Sequence, residues 1–253
     1  MAAVAGYRRR AVIQHVEDAS HLPSERAHLG WLRQTFWMAK KEVLIERQNG
    51  EIVATAGFFG LLLATVSSFA FHSGPGEAQR VAPGVIWISI AFSAVLGLGR
   101  AWQREREENA LLGLIVAPIA RSAIFAGKAL GLFAFVVALE LLVVPVTALV
   151  FGFDLLAYGP GIFAIGLVAG IGIAASGTLF GAMTVRTRAR DLVLATVLLP
   201  LLAPVLACAM AATRELFAGI SFSELGDYFL LMLVFDFVFV AGGMGLFGTL
   251  IED

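Results

Sequence analysis

Charge is the scarcest property of this chain: only 15% of its 253 residues are charged, while 59% are hydrophobic and the mean hydropathy is +0.86. Ordinary soluble domains carry about 25% charged residues, so a water-soluble enzyme is excluded at the outset. Cysteine is nearly absent. Cys208 stands alone within an apolar run, which rules out an intramolecular disulfide, a CxxC redox pair and a cysteine-rich metal site. Histidine is sparse too: His15, His21 and His28 precede the first apolar run, and His72 sits at its end. With no histidine inside an apolar run, Ala175-Ser176-Gly177 has no intramembrane base and cannot be the nucleophile of a serine protease. No GxxxxGK[ST] loop exists either, since Gly127-Lys128 is followed by Ala129 and lacks the preceding glycine. No catalytic, cofactor-binding or metal-binding residues are therefore assigned, and no nucleic-acid partner is expected.

What the chain has is long apolar runs. A bilayer-spanning helix needs roughly 20 mostly apolar residues, because its backbone polar groups must be satisfied within the helix. Six runs qualify, at about 52–72, 82–99, 128–152, 161–184, 191–213 and 228–249. The fold class read from them is an all-α membrane protein. Residues 51–253 form a six-span domain, 24–50 an amphipathic helix, and 1–23 an N-terminal extension that reads as weakly ordered and lacks a cleavable signal sequence.

Orientation follows from the basic residues, which are retained on the cytoplasmic side. With the N-terminus inside, only Arg80 and Arg214 of the eighteen Lys and Arg fall outside. The outer loops hold Glu77, Asp154, Glu215, Glu224 and Asp227. Both termini are read as cytoplasmic, and the net charge of -1 conceals this asymmetry.

From Ser24 to about Gln48 apolar residues recur at helical spacing, at Leu29, Leu32, Phe36, Ala39 and Val43, with Trp31 and Trp37 beside them and Asn49-Gly50 ending the pattern. Arg33, Lys40, Lys41 and Arg47 occupy the rest. Such a helix suits the inner membrane interface, where it would lie flat. The competing reading is a soluble helix packed on a partner.

The segment from Arg100 to Lys128 begins charged and turns apolar before Pro118. Glu105, Glu107 and Glu108 stand near the start of an expected short helix, Leu111, Leu112 and Ile115 form its apolar face, Pro118 stops it, and Ser122 is placed to cap the next helix. Apolar surface on a hydrophilic loop marks a protein interface; the plainer alternative is that the leucines dip into the membrane surface. Arg186, Arg188 and Arg190 form a second short turn, either a partner contact or a topological anchor.

Two carboxylates fall inside spans, Glu140 and Asp236. A charge at the bilayer centre costs about 2.5 to 3.5 kcal/mol on insertion scales. Each is read either as part of a polar pathway or as an interhelical hydrogen bond. Gly166, Gly170, Gly177 and Gly181 make a small-residue face for close helix approach, within the subunit or between copies.

The run Arg80 to Trp87 (RVAPGVIW), the Arg100 to Pro118 loop, the Gly127-Lys128 pair and the stretch from Gly177 (GTLFG) through Leu198 to Pro204 (LLPLLAP) together resemble the CcmB family, haem exporter protein B. The resemblance runs from about residue 41 to the C-terminus; the extension before it is longer than expected. It implies an ABC-2-like permease fold, with the amphipathic helix as its elbow helix and Glu105 to Pro118 as its coupling helix. It also implies a bacterial inner-membrane subunit of the cytochrome c maturation complex, present in two copies beside the ATPase CcmA and the membrane partners CcmC and CcmD. ATP would bind CcmA, and hydrolysis would release the haem-loaded chaperone CcmE. Haem would be handled by the complex; this chain offers only His72 near the outer face as an axial ligand, and Met183, Met210, Met232 and Met244 read as packing residues. Membrane lipids are its remaining partners. The alternatives are an exporter subunit for lipid, polysaccharide or drug, and a non-transporting membrane scaffold.

Overall fold

Every apolar run of the sequence becomes a helix, because in hydrocarbon a helix satisfies its own backbone. The computed structural model describes residues 30–71, 75–107, 119–184 and 190–252, with side chains described except at 49, 75–79, 104–107, 190–195 and 251–252. Helix α1 is Trp31–Asn49, α2 Glu51–Ala70, α3 Pro75–Glu107, α4 Arg121–Phe151, α5 Leu155–Thr184, α6 Arg190–Phe217 and α7 Gly226–Glu252, the last preceded by a 3-10 turn at Phe222–Leu225. Among the described residues there is no strand. Six of these helices, α2 to α7, are long and apolar enough to cross a membrane, and all seven belong to one unit, Trp31–Asp253.

Helix ends show the local chemistry. Gly50 closes α1 in the left-handed region (φ 61°), its N–H donating to the Glu46 carbonyl at 2.6 Å, and so permits the sharp turn into α2. Gly152 (φ 70°) ends α4, and two residues on the Asp154 carboxylate accepts the N–H groups of Leu156 (2.8 Å) and Ala157 (3.2 Å) to start α5. Pro83, Pro145, Pro160, Pro200 and Pro204 all lie inside helices.

Several boundaries differ from the sequence reading. Helix α3 continues past Gly99 to Glu107, so Glu105 and Glu107 end the second spanning helix instead of starting a separate one. Nothing between Arg100 and Glu107 breaks a helix, and Trp102, only 2% exposed, holds the extension against the bundle. Helix α4 begins at Arg121, seven residues before the apolar run, and its N-cap is Ala120, not Ser122. Helix α5 starts at Leu155 and tolerates Pro160 near its beginning.

Helix α5 is the centre of the bundle, buried by α3, α4, α6 and α7. Its glycines receive the neighbours: Gly166 faces Glu140 of α4, Gly170 faces Phe133 and Val136 of α4, Gly177 faces Leu98 of α3, and Gly181 faces Trp102 of α3. The small-residue face is thus used within the subunit. The main core runs through α2 to α7, and a buried hydrogen bond from Trp87 Nε1 of α3 to Thr213 Oγ1 of α6 (2.9 Å) crosses it. A second cluster gathers Met38, Trp102, Ile124, Phe125, Leu179 and Phe247. It joins α1, the end of α3, the start of α4 and the ends of α5 and α7, so α1 and the C-terminal end of α7 lie on the same side of the bundle.

Candidate functional site

The junction of α1 with α4 is where polar chemistry concentrates. Contacts advance along both helices in the same sense, from Trp31 with Ser122, through Met38 with Gly127, to Glu42 with Lys128 and Gly131. Helix α1 therefore runs beside the first turns of α4 instead of lying flat across it. With 31 residues, α4 is about 46 Å long, against a hydrocarbon core of about 30 Å. Its N-terminal turns, bearing Arg121 and Lys128, are covered by α1.

Glycine makes the approach possible. A Cβ on Gly131 would meet the Glu42 Cβ at 2.5 Å, and one on Gly127 would reach the Thr35 carbonyl at 3.0 Å. Into that close contact α1 brings polar groups that fit. The Lys128 ammonium, 5% exposed, bonds Glu42 Oε1 at 3.2 Å and lies 5.0 Å from the centre of the Trp102 ring. Lys41 also approaches Glu42, at 3.6 Å. Trp31 Nε1 donates to Ser122 Oγ at 3.0 Å, and the Ala120 N–H donates to Gln34 Oε1 at 2.9 Å, so the Gln34 side chain satisfies an N–H that the start of α4 leaves open. Glu46 Oε1 accepts the Val53 N–H at 2.9 Å and does the same for α2.

One cation thus ties together three elements. Trp102 sits near the end of α3, Lys128 near the start of α4, and Glu42 on α1. Glu108, Leu111, Leu112, Ile115 and Pro118, the sequence-predicted partner contact between α3 and α4, lie outside the described residues, as do Arg186 and Arg188. Glu105 and Glu107 are placed by backbone alone on the last turn of α3, and Arg190 on the first turn of α6. Both ends of the predicted contact segment therefore lead into the Glu42–Lys128–Trp102 cluster.

Lys128 escaped notice as a functional residue in the sequence. The available signal was a lysine standing between Gly127 and Gly131 at the edge of an apolar run, with a glutamate on an amphipathic helix able to reach it. The side of α1 that docks on α4 also went unread. Leu32 (76% exposed), Phe36 (61%) and Val43 (43%) point away from the protein, while Thr35 and Met38 are buried against α4. The large apolar side chains on this side of α1 are left uncovered by the protein, and shape and charge make the contact with α4.

Glu140 and Asp236 are fully enclosed, 1% and 4% exposed, and the Glu140 carboxyl oxygens have no hydrogen-bond partner among the described residues. Each abuts glycine on α5, Glu140 at Gly166 and Asp236 at Gly172. Six residues apart, those glycines are about 9 Å apart along the helix and on different faces, so the two carboxyls do not form one site.

Spanning helices packed around a glycine-rich centre, with an amphipathic helix docked on the third of them, define an all-α, multi-pass membrane permease. A family model described as CcmB protein matches residues 33–242. Heme exporter protein B of Paracoccus denitrificans is 32% identical over 181 residues, covering 70% of this chain and 80% of that relative. Heme exporter protein B of Escherichia coli K12 is 27% identical over 94 residues, 37% of this chain and 43% of that relative. The chain belongs to the CcmB family.

Proposed function

We propose that this chain is the non-catalytic permease subunit of the cytochrome c maturation ABC complex, a haem-export system by the names of its relatives. ATP is hydrolysed on the separate subunit CcmA, and the stroke enters here through the segment between α3 and α4, residues Glu105 to Pro118. The work done is release of the haem-loaded chaperone CcmE, with CcmC and CcmD as membrane partners and two copies of this chain facing two ATPase sites. The chain sits in the bacterial inner membrane with both termini in the cytoplasm. The observation that carries the reading is the family match across residues 33–242, which spans α1 and all six membrane helices.

The junction supports it mechanically. A push on the segment between α3 and α4 cannot move one flank alone, because Trp102 and Lys128 are held on the same face as Glu42. Reorientation would pass to α1 and, through the turn at Gly50, to α2. The direct test is reconstitution of CcmA, CcmC, CcmD and haem-loaded CcmE with and without this chain. ATP-dependent release of CcmE only when the chain is present is the expected result; equal release without it overturns the reading.

A further inference from the structure

Below the junction, the elbow formed by α1 and α2 stands away from α4 and leaves an open groove of about 470 Å³. Its walls are Val43 of α1, Val53 and Ala54 of α2, and Ala134, Phe135 and Ala138 of α4. Further along α2, Gly57 packs against Leu142 of α4. The walls are apolar and mostly small, and Ala134 is exposed, so the groove opens sideways into the leaflet beside α1. At its mouth stands Arg47, exposed on the last turn of α1. The two acids that also reach the groove are engaged elsewhere, Glu42 with Lys128 and Glu46 with the Val53 N–H.

We infer that this groove is a binding site for a glycerophospholipid, with the phosphate on Arg47 and one acyl chain between α2 and α4. An apolar slot with a guanidinium on its rim matches an amphiphile with an anionic head and a linear tail. A guanidinium suits a phosphate, which it can bond through two N–H groups at once. Soluble anions would gain nothing from the slot, and a neutral hydrocarbon nothing from Arg47. The occupant would also wedge the elbow, so the lipid becomes part of the support on which α1 rests.

The test is native mass spectrometry of the full-length, detergent-purified chain titrated with phosphatidylglycerol, with inorganic phosphate as the headless control. Wild type should retain one lipid tightly and show no competition from phosphate. Arg47→Gln should weaken retention about fivefold, the effect of one cation near the head groups, while Arg33→Gln, on the same helix but away from the groove, should leave it unchanged. Ala134→Phe should abolish retention by filling the slot, and Ala138→Leu, which narrows it from the same helix, decides the matter if that variant does not fold. Unaltered retention in the filled-groove variant overturns the proposal, and so does an Arg33→Gln effect equal to that of Arg47→Gln, which would mark diffuse attraction to anionic lipid. Displacement of the lipid by inorganic phosphate also overturns it, because the slot would then contribute nothing.

Discussion

Glu42→Gln keeps the shape of the side chain against Gly131 and removes the charge that pairs with the Lys128 ammonium, itself almost fully enclosed at 5% exposure. Breaking a buried ion pair on one side costs about 3 to 5 kcal/mol when the partner is stranded. Glu42 is itself 24% exposed, so water offsets part of the loss and about 2 kcal/mol remains. That energy falls on the docking of α1 and not on the six-span bundle, because the spanning helices bury a separate core. The reciprocal change behaves differently. Lys128→Met retains the buried stem, and the Glu42 left behind still reaches water and Lys41 at 3.6 Å, so the cost is about 1 kcal/mol. The double variant should cost less than the sum of the two. Opening is read by maleimide labelling of a cysteine placed at Thr35, 6% exposed on the side of α1 that packs on α4, in a Cys208→Ala background. About 2 kcal/mol corresponds to labelling some 30-fold faster for Glu42→Gln, against about fivefold for Lys128→Met. Equal rates in the two single variants, or faster labelling with Lys128→Met, would refute the claim that removing the negative charge beside the enclosed cation is what costs.

Gly131→Leu puts carbon where Glu42 Cβ already stands, and should release α1 more completely than either charge change, seen as Thr35Cys labelling near the rate of the unfolded chain. Trp87→Phe removes the buried bond to Thr213, whose hydroxyl keeps its own bond to the Ala209 carbonyl at 2.8 Å; the cost should be about 1 kcal/mol in unfolding measured in mixed micelles. Gly166→Ala drives a methyl to within 2.5 to 2.7 Å of the Glu140 carboxyl, and should lower thermal stability in detergent, with much of the loss recovered by adding Glu140→Ala; additive losses would show that the clash is elsewhere.

The six spans were legible because hydropathy and the length of the bilayer decide them: runs of roughly 20 apolar residues satisfy their backbone as helices, whereas barrel strands are about half as long. Their ends were not. Helix formation continues through charged residues that hydropathy discards, which is how α3 reaches Glu107 and α4 begins at Arg121. The turn at Asn49-Gly50 was visible because a glycine stood where a left-handed residue was needed. The orientation of α1 was hidden for a different reason. Periodicity marked Leu32, Phe36 and Val43 as one apolar side, and they are left uncovered by the protein, but it did not announce that Thr35, Met38 and Glu42 would make the contact with α4. Lys128 and the Trp87–Thr213 bond depend on contacts 86 and 126 residues apart in sequence, which no local pattern announces.

The account rests on the segment between α3 and α4 being where an ATPase grips this chain. Tagged chain pulled from detergent-solubilised membranes, wild type against Leu111→Asp with Leu112→Asp, tests that most directly. CcmA should copurify with the wild type and be lost from the double variant while the variant remains in the membrane. If the double variant retains CcmA, the grip is elsewhere; if the wild type brings down no ATPase, the coupling account is contradicted.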